Sequence, residues 1–153
     1  MDKKIIVILI SASILAGCMT APVRFNTQSG KPEVTIYGTT KKKVSEAIIN
    51  REISKGWDLK SQSDSLLIFA QKNTSFGAQL LFGSKYDTVP ESRITFTLIE
   101  NNDGIRVLLK AELVTNPGSA FEKVTDMTSN ADVSSQSQIV LEEIKAGLEK
   151  LSP

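Results

Sequence analysis

Hydrophobic and polar residues alternate most regularly over residues 93–100 and 105–115. Apolar side chains at every second position place one side of each segment in a core. Asn101, Asn102, Asp103 and Gly104 lie between the segments and are residue types that tolerate positive φ in tight turns. The pattern predicts an antiparallel hairpin. Its expected buried positions are Ile94, Phe96, Leu98, Ile105, Val107, Leu109, Ala111 and Leu113.

Two further segments have the period of amphipathic helices. The first covers residues 41–55, where Thr40 can cap the start and Gly56 can end the helix. Its expected buried side is Val44, Ala47, Ile48 and Ile53, and its expected exposed side is Lys41, Lys42, Lys43, Arg51 and Glu52. The second begins at a capping box formed by Ser135 and Gln138 and runs to about residue 151. Its expected buried stripe is Ile139, Ile144, Leu148 and Leu151.

Residues rich in β-formers predict additional strands at 33–37, 57–62 and 65–72, and residues 116–119 break the long strand that precedes them. The resulting order is β-α-β-β-β-β-α. Hairpin connections make such a sheet mainly antiparallel. We therefore expect an α+β fold, with about five strands and two helices on one face, in a single domain over residues 32–153.

The chain before this domain begins like a secretory signal. Lys3 and Lys4 give a positive start, and residues 5–15 form an almost unbroken apolar run. This run is shorter than the roughly 20 apolar residues that a membrane-spanning helix needs. Small residues then precede the cysteine in Leu15-Ala16-Gly17-Cys18. This motif resembles the lipobox of bacterial lipoproteins.

The lipobox resemblance implies that residues 1–17 are a signal peptide, cleaved before Cys18, and that Cys18 carries a diacylglyceryl thioether and an acylated amino group. Met19 follows the cysteine in place of the aspartate associated with inner-membrane retention. The family's sorting rule therefore implies the outer membrane, on its periplasmic face or at the cell surface. Residues 18–31 would form the lipidated N-terminus and a polar, flexible tether.

The order of strands and helices after the tether is similar to that of helix-grip, TBP-like domains in some envelope lipoproteins. These include domains of the C subunit of the outer-membrane β-barrel assembly machine. The similarity is one of element order. It implies a fold and carries no residue roles.

Charge and composition exclude several classes of function. Without residues 1–17 the chain has equal numbers of basic and acidic residues, which argues against a broad nucleic-acid-binding surface. Histidine is absent and Cys18 is the only cysteine. A histidine-based catalytic triad, a Cys/His metal site and an intrachain disulfide are therefore excluded. We expect a monomeric soluble domain that uses no cofactor or metal.

Residues 73–92 are too long for a tight hairpin between two predicted strands. Their apolar residues are Phe76, Leu80, Leu81, Phe82 and Tyr86. In one interpretation these residues form a loop that contacts a partner or the membrane. In the other, residues 78–82 fold back as a lid on the sheet. Both interpretations remain open at this point.

Two other features have both a functional and a structural interpretation. Lys41, Lys42 and Lys43 can meet anionic lipid headgroups or simply form the solvated start of a helix. Trp57 can be a ligand platform, although a core position at the helix–strand junction suits its large apolar area better.

The leading hypothesis is a non-enzymatic, lipid-anchored binding or assembly module of the cell envelope, with an unidentified envelope protein as partner. One alternative is a small envelope hydrolase that uses Asp87 and Glu91, since two carboxyl groups of different pKa can perform acid–base hydrolysis. The other alternative is a purely structural surface lipoprotein.

We expect Cys18→Ser to abolish lipid attachment, because the thioether needs the cysteine sulfur. Labelling of cells with radioactive palmitate should show incorporation into the parent chain and none into the variant. The variant should also persist as an uncleaved or wrongly processed precursor. Undiminished palmitate incorporation in Cys18→Ser would rule out the lipobox interpretation.

Overall fold

Six strands and two helices follow one another within residues 25–73 and 89–150, the part of the chain that this computed structural model describes. The α+β class expected from the sequence is confirmed. In chain order the elements are β1 (Glu33–Ile36), α1 (Lys41–Ser54), β2 (Asp58–Gln62), β3 (Leu66–Lys72), β4 (Glu91–Asn101), β5 (Gly104–Thr115), β6 (Lys123–Asp126) and α2 (Ala131–Glu149).

The strands form one antiparallel sheet in the order β1-β5-β4-β3-β2. β6 also pairs with β5 and was not anticipated from the sequence. It lies along the same edge as β1, because β1 pairs with residues 105–108 of β5 and β6 pairs with residues 112–115. β6 is short and exposed along its length, so its side chains carry no alternating pattern.

The β4–β5 hairpin forms as predicted, and its register places Asn101 opposite Gly104 and Glu91 opposite Val114. Gly104 is required at its turn because the end of β1 passes close by. A Cβ atom at this position would lie 2.5 Å from the carbonyl oxygen of Ile36, which is closer than real side chains approach. The close approach of the β4–β5 turn to the end of β1 therefore requires glycine at position 104.

The core lies between the two helices and one face of the sheet. Phe69 and Phe96 meet edge to face at its centre, with ring centroids 6.0 Å apart and planes at 89°. The buried apolar residues of this core are Val34, Ile36, Val44, Ile48, Leu67, Phe69, Phe96, Leu98, Ile105, Val107, Leu109, Leu141 and Ile144. The opposite face of the central strands is more polar, with residues such as Thr95, Thr97, Arg106 and Lys110.

α1 has the predicted start and end, but its buried stripe differs from the prediction. Thr40 accepts a hydrogen bond from the amide of Lys43 at 3.3 Å, and Gly56 follows the helix with φ at 84°. Glu52 is buried and Ile53 is 53 % exposed, so the prediction was wrong for both. The reason is geometric: Val44, Ile48 and Glu52 are spaced by four residues and share one stripe, and Ile53 lies about 100° away from it.

α2 begins four residues before the predicted capping box. Asn130 is its N-cap, and the Asn130 side chain accepts hydrogen bonds from the amides of Asp132 and Val133, both at 3.1 Å. The Ser135–Gln138 capping box is therefore wrong. Ile139, expected inside, is 49 % exposed, and Leu151 lies outside the described residues. The buried stripe is Ser134, Ser137, Leu141 and Ile144.

Glu33 joins three parts of the chain at the β1 edge. Its carboxylate accepts hydrogen bonds from the amides of Gln28 and Ser29 and from two nitrogens of Arg106 on β5, the shorter at 2.8 Å. The side-chain amide of Gln138 on α2 bonds to both the amide and the carbonyl of Glu33. Residues 28 and 29, expected in the tether, are thus fixed to the sheet.

The carboxyl of Glu33 titrates below its ordinary value. Burial alone raises the pKa of Glu33, but hydrogen bonds from Arg106 and Ser29 and the charge of Arg106 outweigh burial, and the pKa falls below 4.5. A group with a lowered folded-state pKa contributes stability above its unfolded pKa. That contribution is lost as the pH falls through the folded value.

We expect Arg106→Met to destabilise the protein by about 3 kcal/mol near pH 7, because it leaves the nearly buried Glu33 carboxylate without its charged partner. The penalty should shrink as the pH is lowered and Glu33 becomes protonated, because a neutral carboxyl no longer needs the charged partner. Urea unfolding at a series of pH values measures both effects.

The matched control is Lys110→Met, which removes a half-exposed lysine from the same face of β5. Exposed ion pairs contribute at most about 1 kcal/mol, so this change should cost little. Equal costs for the two variants, or an Arg106→Met cost that is independent of pH, would contradict the assigned role of Glu33.

Candidate functional site

A cavity of about 630 Å³ opens between the C-terminal end of α1, the first half of α2 and the part of the sheet beneath them. Ligand pockets in proteins commonly fall between about 300 and 1,000 Å³. The residues that line it are Arg51, Glu52, Lys55, Trp57, Asn73, Ser92, Arg93, Ile94, Leu109, Ala111, Glu112, Leu113, Met127, Asp132, Val133, Gln136, Ser137 and Val140.

The cavity exists because small side chains face each other where the two helices diverge. Ala111 lies on the helix-facing side of β5, directly across from Ile94 on β4. Above the sheet, α2 presents Ser137, where a filled core would carry a large apolar side chain. One turn later Leu141 and Ile144 fill the corresponding space.

The floor and sides of the cavity are aliphatic. Ile94, Leu109 and Leu113 form the floor with Ala111, and the side chains of Val133, Val140 and Met127 form the wall toward α2. Trp57 is its only aromatic lining residue among those described, and Trp57 also packs against the core. Such a surface favours contact with apolar groups, because each buried Å² of apolar area contributes roughly 25 cal/mol.

The buried polar groups of the wall already have partners within the protein. Arg51 donates to Glu52 at 2.6 Å and to Glu143 on α2 at 2.5 Å, and this bridge ties the two helices together. The hydroxyl of Ser137 donates to the carbonyl of Val133 at 2.8 Å. These groups therefore offer little hydrogen-bonding capacity to a ligand.

Glu52 is the most perturbed carboxyl of the wall, with a side chain only 2 % exposed. Burial raises the pKa of Glu52 above its ordinary value of 4.5, and the hydrogen bond and charge of Arg51 offset this only in part. The pKa of Glu143, by contrast, is lowered by its hydrogen bond to Arg51. Arg51 therefore forms ion pairs with one buried carboxylate, that of Glu52, and with one exposed carboxylate, that of Glu143.

Polar residues gather at the mouth of the cavity, where α1 ends and α2 begins. Lys55 and Asp132 are exposed there, and neither forms an ion pair with another described residue. Asp132 lies in the first turn of α2, where the positive end of the helix dipole favours a negative charge. Lys55 is thus a cation at the mouth that forms no direct ion pair with a described residue, although its charge also acts on the carboxylates of Glu52 and Glu143.

Several residues selected from the sequence lie away from this cavity. Lys41, Lys42 and Lys43 are at the opposite end of α1, where Lys41 pairs with Asp64 and Lys42 approaches Glu46 at 4.0 Å. Glu91 begins β4 on the face turned away from the helices and does not line the cavity. Trp57 is the one candidate that the structure brings into it.

The remaining candidates lie outside the described residues. They are Cys18, Phe76, Leu80, Leu81, Phe82, Tyr86 and Asp87. Asn73 and Ser92, close to the two ends of the segment 74–88, do line the cavity.

Sequence analysis missed the cavity because it placed the start of α2 too late. With Asn130 as N-cap, the four-residue spacing from Leu141 leads back to Ser137, and Ser134 falls one turn before that on the same stripe. The sequence signal for the cavity was the pair of serines on the buried stripe of α2, opposite an alanine on a central strand. Phe121, which is 83 % exposed between β5 and β6, was missed as well and lies apart from the cavity lining.

The described residues hold no group of three or more histidine, cysteine or acidic side chains arranged to bind a metal ion. Neither α1 nor α2 has the length and apolar character needed to cross a membrane. No protein-family model matches the chain, and no curated protein matches its sequence. The site is therefore characterised by its shape, its apolar walls and the charges at its mouth.

We expect Glu52→Gln to change how stability depends on pH. Because the folded-state pKa of Glu52 is raised, the favourable contribution of its protonated form is complete below about 4.5 and is lost as the pH rises through the folded value. The parent should therefore lose more stability than Glu52→Gln as the pH rises above about 4.5. Thermal melts across this range, with Glu46→Gln on the exposed side of α1 as control, measure the difference. Parallel curves for parent and Glu52→Gln would show that burial does not govern this carboxyl.

Proposed function

We propose that this chain is a lipid-anchored protein of the bacterial envelope that acts as a non-enzymatic binding module, with the cavity between α1, α2 and the sheet as its binding site. The observation that carries the proposal is a ligand-sized space whose described walls are mostly apolar and whose buried polar groups are already paired.

The anchor half of the proposal rests on the first eighteen residues, which resemble a lipoprotein signal and lipobox ending in Cys18. Two or three acyl chains on one residue give stable attachment to a bilayer, whereas a single chain gives only marginal binding. Phe25, the first described residue, lines a surface depression together with Ile139 and other residues of α2. The anchor would therefore join the domain on the helix side of the sheet.

Binding is favoured over hydrolysis by the chemistry of the cavity wall. Its one deeply buried carboxyl, Glu52, is hydrogen-bonded to Arg51, and the hydrolase candidate Glu91 lies on the other face of the sheet. An acid–base pair needs two carboxyl groups on either side of one reacting bond. The described lining offers no such pair facing an open space.

The binding proposal is tested with Nile red, an apolar dye that fluoresces on leaving water, added to the soluble protein without its signal and lipid. We expect saturable binding to the parent. Ala111→Trp fills the floor of the cavity and should weaken binding at least tenfold, because the dye and the indole compete for the same volume.

Overpacking a core commonly costs about 1–3 kcal/mol, so Ala111→Leu is the smaller second variant and both are checked by thermal melting. Ala120→Trp adds the same indole at an exposed position of the loop before β6 and serves as the matched control. Dye binding that survives in two folded Ala111 variants would place the binding surface elsewhere and refute the proposal.

A further inference from the structure

We infer that the cavity binds a single acyl chain whose anionic head group lies at Lys55, as in a fatty acid or a lysophospholipid. The inference rests on the proposed function and deepens it by assigning the chemical class of the ligand. Three observations carry it: the form of the floor, the charge at the mouth and the position at which the tether joins the domain.

The floor matches a long apolar chain better than a compact polar molecule. Leu109, Ala111 and Leu113 are alternate residues on one face of β5, so they extend over about 13 Å of strand. Side chains of α2 run above them from Val133 to Val140. The buried polar side chains Glu52 and Ser137 already have partners within the protein. Polar groups of an occupant that face them would be left unpaired, at a cost of about 1–3 kcal/mol each.

The mouth has a cation in position for an acidic head group. The other two lining cations are occupied, Arg51 by Glu52 and Glu143 and Arg93 by Glu122 at 3.4 Å. Lys55 lies at the end of α1 without an ion-pair partner among the described residues. The negative charge of Asp132 is offset locally by the start of its own helix. The ammonium group of Lys55 is therefore available for a direct ion pair with a carboxylate or phosphate at the mouth.

The short tether would keep the cavity close to a source of acyl chains. Residues 18–24 precede Phe25, and seven residues span at most about 25 Å when fully extended. Phe25 lines a surface depression together with residues of α2, the same helix whose first half forms one wall of the cavity. A domain held in this way stays within its own diameter of the bilayer surface.

The test uses the mature lipidated protein in phospholipid nanodiscs, with a photoreactive diazirine on the chain of either a fatty acid or a lysophospholipid. After irradiation, labelled peptides are identified by mass spectrometry. We expect label on peptides that contain residues 109–113 or 133–140, and at least tenfold less in Ala111→Trp. Lys55→Glu should lower labelling severalfold, whereas Lys60→Glu on β2 should leave it unchanged.

Labelling by the fatty acid alone, by the lysophospholipid alone or by both supports the inference and identifies the source of the chain. Label confined to other peptides, or insensitive to Ala111→Trp and Ala111→Leu, overturns it. Labelling that is insensitive to Lys55→Glu overturns the assignment of an anionic head group. If neither lipid labels the cavity while Nile red still binds there, the acyl-chain inference fails and the proposed binding function stands.

Discussion

The helix-facing side of the β4–β5 hairpin must be buried, and the remaining architecture follows from this requirement. Its alternate side chains supply the sheet side of the core, and two helices are needed to cover them. Where α2 carries Leu141 and Ile144 the coverage is complete. Where α2 carries Ser137, above Ala111, the same helix leaves a space. The filled core and the cavity therefore lie at two ends of the same layer between the helices and the sheet. Large side chains on the buried stripe of α2 fill one end, and small side chains leave the other end open.

Glu33, at the edge of the sheet, and Glu52, beside the cavity, are both buried, but their ionised forms differ in their effect on stability. Glu33 accepts four hydrogen bonds and titrates low, so its charge helps to hold β1, β5 and α2 together. The Glu52 carboxylate accepts a hydrogen bond from one charged side chain, that of Arg51, and burial raises the pKa of Glu52. Keeping Glu52 ionised therefore costs free energy. Glu52 nevertheless keeps Arg51 in place between α1 and α2 beside the cavity. We interpret the Arg51 bridge as the element that sets the separation of the helices at this end of the molecule.

The sequence predicted most of the fold and little of the site, for physical reasons that differ by element. Long alternating strands and the turn at residues 101–104 carry local signals, and the structure has this hairpin at the predicted place. β6 has no such pattern, because pairing with β5 is its main support. The burial of Glu52 and the exposure of Ile53 and Ile139 depend on how each helix is rotated against the sheet, which propensity does not determine. The cavity arises where side chains on α2 and β5 are too small to fill the space between these elements. Hydrophobic periodicity indicates which side of an element is buried and does not indicate whether the buried space is filled.

Methyl NMR spectroscopy of the soluble domain during titration with a fatty acid tests most directly whether this space is a binding site. The methyl groups of Ala111, Leu113, Val133 and Val140 line the cavity, and those of Ile68 and Leu108 lie on the opposite face of the sheet. The proposed site predicts saturable shifts in the first four and none in the last two. Shifts centred on Ile68 and Leu108, or no shifts at saturating fatty acid, would contradict it.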